Sequence, residues 1–167
     1  PNNDGVHINC SRDVTVSGCD IYCGDDCLVV RANSATLREN KPCERIRFSD
    51  CKLTSYSAGM RIGWTNDGII RDVSASNLTM TDCSVGISLY IPALVRSERI
   101  TDVGREATRV EKFRFQNLSV ESAGYPVFIR LSDHPEVMID KIQDMEFDGM
   151  TVRSPQLPYI EGKSGAL

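Results

Sequence analysis

Hydrophobic and polar positions alternate along this chain in short runs, and the runs recur in one register. Five segments align without gaps: Asp13 to Ile21, Arg45 to Leu53, Asp72 to Met80, Lys112 to Val120 and Asp144 to Val152. Their first inward column reads Val14, Ile46, Val73, Phe113 and Met145, and the second reads Val16, Phe48, Ala75, Phe115 and Phe147. Period-two alternation in runs rich in Val, Ile and Phe predicts half-buried strands. The alternation breaks at Gly18, Asp50, Asn77, Asn117 and Gly149, residue types that tolerate positive φ. An apolar column of Cys19, Cys51, Leu78, Leu118 and Met150 follows, so each segment is expected to bend at one corner and then resume burying side chains.

A second strand is expected at constant distance, because Leu28, Met60, Ile87, Val127 and Tyr159 each lie 14 residues after the first column. Successive segments are separated by 32, 27, 40 and 32 residues, which confines length variation to one connection per repeat. Strand, left-handed corner, strand and variable loop, repeated, predict an all-β solenoid: a parallel β-helix of about five coils whose equivalent residues stack ~4.8 Å apart. A helical bundle is excluded, since no stretch sustains i, i+3, i+4 apolar spacing and Gly and Asn interrupt every candidate. A β-sandwich also has short strands and turn signals, but the fixed 14-residue offset favours the solenoid. Neither terminus reads as a polar cap, so residues 1–167 are expected to form one β-helix segment, truncated at both ends. The polar insertion from Pro92 to Arg109 accounts for the longest spacing; it reads either as a loop walling a cleft or as a disordered stretch.

Charge and cysteine content narrow the partners. The formal net charge is −4 with no Lys/Arg run, which gives a nucleic-acid backbone or an anionic membrane little to hold. No run reaches the ~20 apolar residues that span a bilayer. Of the seven cysteines, Cys19, Cys23 and Cys27 are spaced C-x3-C-x3-C, which matches neither zinc-ribbon nor redox spacing, so no metal site is expected. A bridge from Cys27 to Cys51 and plain buried thiols are both compatible with the register. Asn77-Leu78-Thr79 and Asn117-Leu118-Ser119 match the glycosylation acceptor pattern, but both asparagines occupy the corner column and read as structural.

One cluster of polar residues carries chemistry. Val6 precedes Leu28 by 22 residues, one plausible coil, so Asp4 and Asp26 share a column in adjacent coils with Asp25 beside them. Asp-Gly and Gly-Asp-Asp are by themselves ordinary turn formers. Stacking all three on one solenoid face points instead to a site, because mutual repulsion favours keeping one carboxyl protonated while its neighbours ionise, which makes an acid and a base available together. Parity also turns His7 and Arg61 outward, as site groups or as ordinary surface residues.

Asn2-Asn3-Asp4-Gly5 resembles the N-T-D motif, and Gly24-Asp25-Asp26-Cys27 the G-D-D-C motif, of the polygalacturonase-like glycoside hydrolases, which are right-handed parallel β-helices. The resemblance implies Asp25 as general acid, Asp4 and Asp26 as the pair that activates water, and inversion at the sugar carbon. Asn2 in the first motif, and His7 and Arg61 by their outward parity, are the expected substrate-binding residues; the resemblance further implies a pectin-type polysaccharide or oligosaccharide as substrate, no cofactor, and a secreted or periplasmic location. Two departures fall where that family reads its substrate. The His of its G-H-G motif is replaced by Ala58, and its R-I-K motif falls near Ser88-Leu89-Tyr90, so the cations of both motifs are missing and Arg61 is the expected substitute. Two other readings of the fold are a calcium-assisted polysaccharide lyase and a non-catalytic carbohydrate-binding or adhesin β-helix.

Overall fold

The computed structural model describes residues 2–93 and 106–162; most of the expected cleft-walling insertion, residues 94–105, lies outside the described residues. Among the described residues twelve strands follow in chain order: β1 (Val6–Asn9), β2 (Arg12–Ser17), β3 (Asp20–Cys23), β4 (Leu28–Arg31), β5 (Cys43–Ser49) and β6 (Lys52–Ser55), then β7 (Ala58–Ile62), β8 (Ile69–Ser76), β9 (Thr79–Ile91), β10 (Thr108–Leu131), β11 (Ile139–Arg153) and β12 (Tyr159–Glu161). Every strand pairing is parallel. The chain is a parallel β-helix with three faces. The first face stacks β1, β4, β7, the end of β9, the end of β10 and β12; the second stacks β2, β5, β8 and the starts of β10 and β11; the third stacks β3, β6 and the intervening parts of β9, β10 and β11.

The inward columns pair as expected, with Val14 on Ile46, Ile46 on Val73, Val73 on Phe113 and Phe113 on Met145. The neighbouring column runs Val16, Phe48, Ala75, Phe115, Phe147. Ile46, Phe48, Phe113 and Phe115 are fully buried, whereas the outer rung Phe147 stacks on Phe115 at 4.7 Å and remains half-exposed. On the first face Leu28, Met60, Ile87 and Val127 stack in register, but Tyr159 pairs with Phe128 rather than Val127. The 14-residue offset therefore fails at its fifth member. The turn after β11, which contains Pro155 and Pro158, is one residue shorter than its predecessor and rotates Tyr159 onto the outer surface.

All five expected corners have left-handed backbone, with φ of 65° at Gly18, 55° at Asp50, 53° at Asn77, 57° at Asn117 and 68° at Gly149. A second corner column stands five residues earlier at Asp13, Arg45, Asp72, Lys112 and Asp144, with φ between 55° and 59°. Its charges alternate in sign from coil to coil, and Arg45 holds the carboxylate of Asp13 through Nε and Nη2 at 2.7 and 2.9 Å. The later corner carries an amide ladder: Asn77 Nδ2 donates to Asp50 Oδ1 at 2.9 Å, and Asn117 Nδ2 donates to Asn77 Oδ1 at 3.1 Å. The asparagine side chains thus have structural partners in neighbouring coils. All seven cysteines are free thiols, five of them buried, so Cys27 and Cys51 are not bridged.

Asn77 combines the left-handed backbone with both rungs of this ladder. Asn77→Ala is expected to destabilise the fold by roughly 1–2 kcal/mol through backbone strain and lost hydrogen bonds. Asn77→Gly loses the bonds but not the conformation and should cost less. Denaturant unfolding of the three proteins measures the order.

Candidate active site

The first face and the turns leading into it gather the predicted residues. Asn2, Asp4, His7, Asp25, Asp26 and Arg61 all line one open groove of about 760 Å³, together with Val29, Arg31 and Trp64. Backbone pairing starts before β1: Asp25 N donates to Asn3 O at 3.1 Å, Gly5 N to Asp26 O at 2.9 Å and Val6 N to Cys27 O at 2.8 Å. This seats Asp4 directly against the Asp25-Asp26 turn. A Cβ on residue 5 would lie 2.5 Å from both Cys27 O and Ile21 Cγ2, so glycine is what lets the two coils approach. The turn is braced from below by Ser55, whose Oγ donates to Asp25 O and accepts from Ser57 N.

Oxygens of the three carboxylates lie within 4.8 Å of one another, yet each residue has a different environment. Asp26, almost fully buried, accepts at Oδ1 from Ser57 Oγ at 2.7 Å and Ala58 N at 3.0 Å, and at Oδ2 from Arg61 Nε at 2.8 Å. Arg61 Nη2 adds a longer contact to Oδ1 at 3.3 Å. Asp4 accepts from His7 Nδ1 at 2.7 Å. The carboxylate of Asp25 has no hydrogen-bond partner among the described residues and faces the groove. One residue is clamped, one is supported by an imidazole, and one is left open to a ligand.

Arg61 projects outward as parity requires, but its guanidinium is engaged twice, by Asp26 and by the ring of Trp64, 5.1 Å below it. Its position therefore fixes Asp26 as much as it offers a cation to a substrate. Arg31, which the sequence reading passed over, is a second groove cation. It pairs with the fully buried Asp67, Nε lying 2.7 Å from Oδ2, and its Nη2 donates to Thr65 O. Asp67 also accepts from Trp64 N at 2.9 Å, so this ion pair pins the loop that presents Trp64 to the groove. The alternation of β4 and β7 could not find Trp64 or Asp67, because both lie in the variable connection beyond Gly63, where φ of 70° ends the strand pattern.

Fold and site together define a parallel β-helix carrying an acidic groove on one face. The family model for glycosyl hydrolases family 28 matches residues 1–135. The chain belongs to that family. Polygalacturonases of Gossypium barbadense and Gossypium hirsutum are each 26% identical to it, over 50% of this chain and 26% of their own length. The chain thus spans about a quarter of these curated relatives.

Burial raises the Asp67 carboxyl to about 6, with Arg31 opposing the shift. A raised carboxyl in the folded state stabilises it fully below the ordinary value of 3.8, and that contribution is lost as pH rises through about 6. Wild-type unfolding free energy should therefore fall by roughly 2–3 kcal/mol over this window, relative to an Asp67→Asn variant. Denaturant titrations of both proteins across the same pH range test it; parallel curves would remove Asp67 as the titrating group.

Proposed function

We propose that this chain carries the acid and base groups of a glycoside hydrolase that cleaves a pectin-type polysaccharide. The observation that carries the reading is the convergence of Asp4, Asp25 and Asp26, from two coils, at one groove with three different environments. The Asp25 carboxyl faces the groove with no hydrogen-bond partner among the described residues and protonates the glycosidic oxygen as the bond breaks. Asp26, held by Arg61, Ser57 and Ala58 N, and Asp4, held by His7, accept the proton of the attacking water. His7 and Arg61 act on this reading as positioning residues, with Asn2 at the groove edge binding substrate. Acid and base both come from side chains, so the reaction as written needs no cofactor.

The motif resemblance and membership of the family support inversion at the sugar carbon. One oxygen from each carboxylate lies within 4.8 Å of the others, closer than the ~6.5–9.5 Å usual between the carboxyl groups of a two-carboxylate inverting pair. Here three carboxylates share the work, with one water placed between Asp4 and Asp26. Proton NMR of the first anomer released assigns the stereochemistry, and the retained anomer would overturn this arrangement.

Asp25→Asn should lower turnover by about 10²–10⁴-fold with an unchanged melting temperature. A variant keeping more than roughly a tenth of wild-type activity would remove Asp25 from the acid role. Reducing-end release is the assay; unsaturated uronate products in its place would identify a lyase, and no release from any polysaccharide a binding module.

The substrate reading follows from the cations. Ala58 and Ser88, at two positions where family motifs carry cations, are buried and uncharged, and Tyr90 replaces the third. Arg61 and Arg31 are already committed to Asp26 and Asp67. A uronate carboxylate entering the groove would lose hydration without gaining an unpaired arginine or lysine among the described residues that line it. Neutral or mixed linkages such as those of rhamnogalacturonan should therefore be cleaved faster than unbranched polygalacturonate. Arg61→Ala should lower kcat on neutral and acidic substrates alike, because Asp26 loses its clamp. A selective rise in KM for acidic substrates would instead make Arg61 a carboxylate-binding group.

A further inference from the structure

Away from the aspartate groove, three successive connections between the first and second faces meet at a small, largely enclosed pocket of about 310 Å³. Thr65 lines it from the β7–β8 connection, Glu106 from the approach to β10 and Glu136 from the β10–β11 turn, with Ile91 and Val137 as buried apolar wall. Thr65 is 1% exposed, and its Oγ1 is the one buried side-chain oxygen or nitrogen among the described residues that has no hydrogen-bond partner. A hydroxyl so placed gives up its hydration with no bond in return. Neither glutamate carboxylate has a hydrogen bond or an ion pair among the described residues. Arg109, three residues after Glu106, is held by Asp140 at 2.6 Å, and Glu136 is bonded only through its backbone N–H, to His134 Nδ1. Glu106 Oε2 lies over Gly68, where a Cβ would stand 2.5 Å from it, so this carboxylate is folded against the loop that carries Thr65.

We infer that this pocket is a structural calcium site, in which Thr65 Oγ1, Glu106 and Glu136 hold one ion that ties three coils together. The donors are all oxygens, the ligand chemistry of hard cations, and two carboxylates balance the charge of a divalent one. The free space admits about one water-sized species, which selects a single ion over an organic molecule. Calcium takes about 6–8 oxygens in variable geometry and completes its shell with water, whereas magnesium demands a near-ideal octahedron. Three donors from three separate connections, with Glu136 exposed, make an adaptable cage of the first kind. The site is distinct from the Asp4, Asp25 and Asp26 cluster and does not depend on what that cluster does. It reaches the groove only through the backbone: Thr65 O accepts from Arg31 Nη2 at 3.1 Å, Thr108 Oγ1 donates to Asp67 O, and Asp67 accepts from Trp64 N. An ion at Thr65 thereby stiffens the loop that presents Trp64.

The test is calorimetric titration of the chelator-treated chain with calcium chloride, paired with melting temperatures in calcium and in chelator. One site is expected, with Kd of about 10⁻⁴–10⁻³ M, and calcium should raise the melting temperature. Glu106→Gln and Glu136→Gln should each weaken binding about 10-fold or more, while Asp25→Asn keeps the glutamate-dependent site. Thr65→Val should act with opposite signs: calcium binds more weakly, yet the melting temperature in chelator stays equal or rises, because the unpaired hydroxyl is gone. That second reading also shows that the variant folds. Calcium binding lost in Asp25→Asn and kept in the glutamine variants would assign the ion to the aspartates and overturn the site. Magnesium binding as tightly as calcium, or a wild-type chain with neither binding heat nor a calcium-dependent melting shift, would overturn it as well.

Discussion

Coil-on-coil registry is the constraint from which everything else in this molecule follows. Each coil exposes backbone donors and acceptors above and below, and these are satisfied only if the next coil repeats its path, so corners must fall at the same places in every turn. Two left-handed positions per repeat, five residues apart, set those places. At one, asparagine amides bond from coil to coil; at the other, charges of opposite sign alternate. Both devices join side chains already tolerant of the corner conformation, or compensated in it, to identical positions one rung away.

The same registry concentrates like charge at the groove. Parallel stacking brings Asp4 onto the Asp25-Asp26 turn whether or not the carboxylates attract, and the fold offsets their repulsion locally. Asp26 receives a guanidinium, a hydroxyl and a backbone N–H, and Asp4 receives an imidazole. Asp25 receives no such partner among the described residues. Three residues of one type thereby acquire different surroundings, which is what separates an acid from a base in a cluster of carboxylates. Arg61 links this electrostatic arrangement to Trp64, and the buried Arg31–Asp67 pair holds the loop on which Trp64 stands.

Alternation, corner residues and repeat spacing determined the β-helix, because each is a local consequence of strand geometry and backbone conformation. The same register placed Asp4, Asp25, Asp26, His7 and Arg61 on one face, since parity fixes the side of a strand on which a residue projects. Other features lay beyond it. The Arg45 and Lys112 corners carry residue types that do not advertise positive φ, and Arg45 is held in its corner by Asp13, a whole coil away. Tyr159 was misplaced by one position because a proline-bearing turn changed length, which the 14-residue rule could not foresee. Arg31, Trp64 and Asp67 come together across a variable connection with no periodic signal. Periodicity determined which residues share a column. Only the tertiary structure decided which charge pairs with which, because those partners are separated by a coil or a loop and selected by three-dimensional packing.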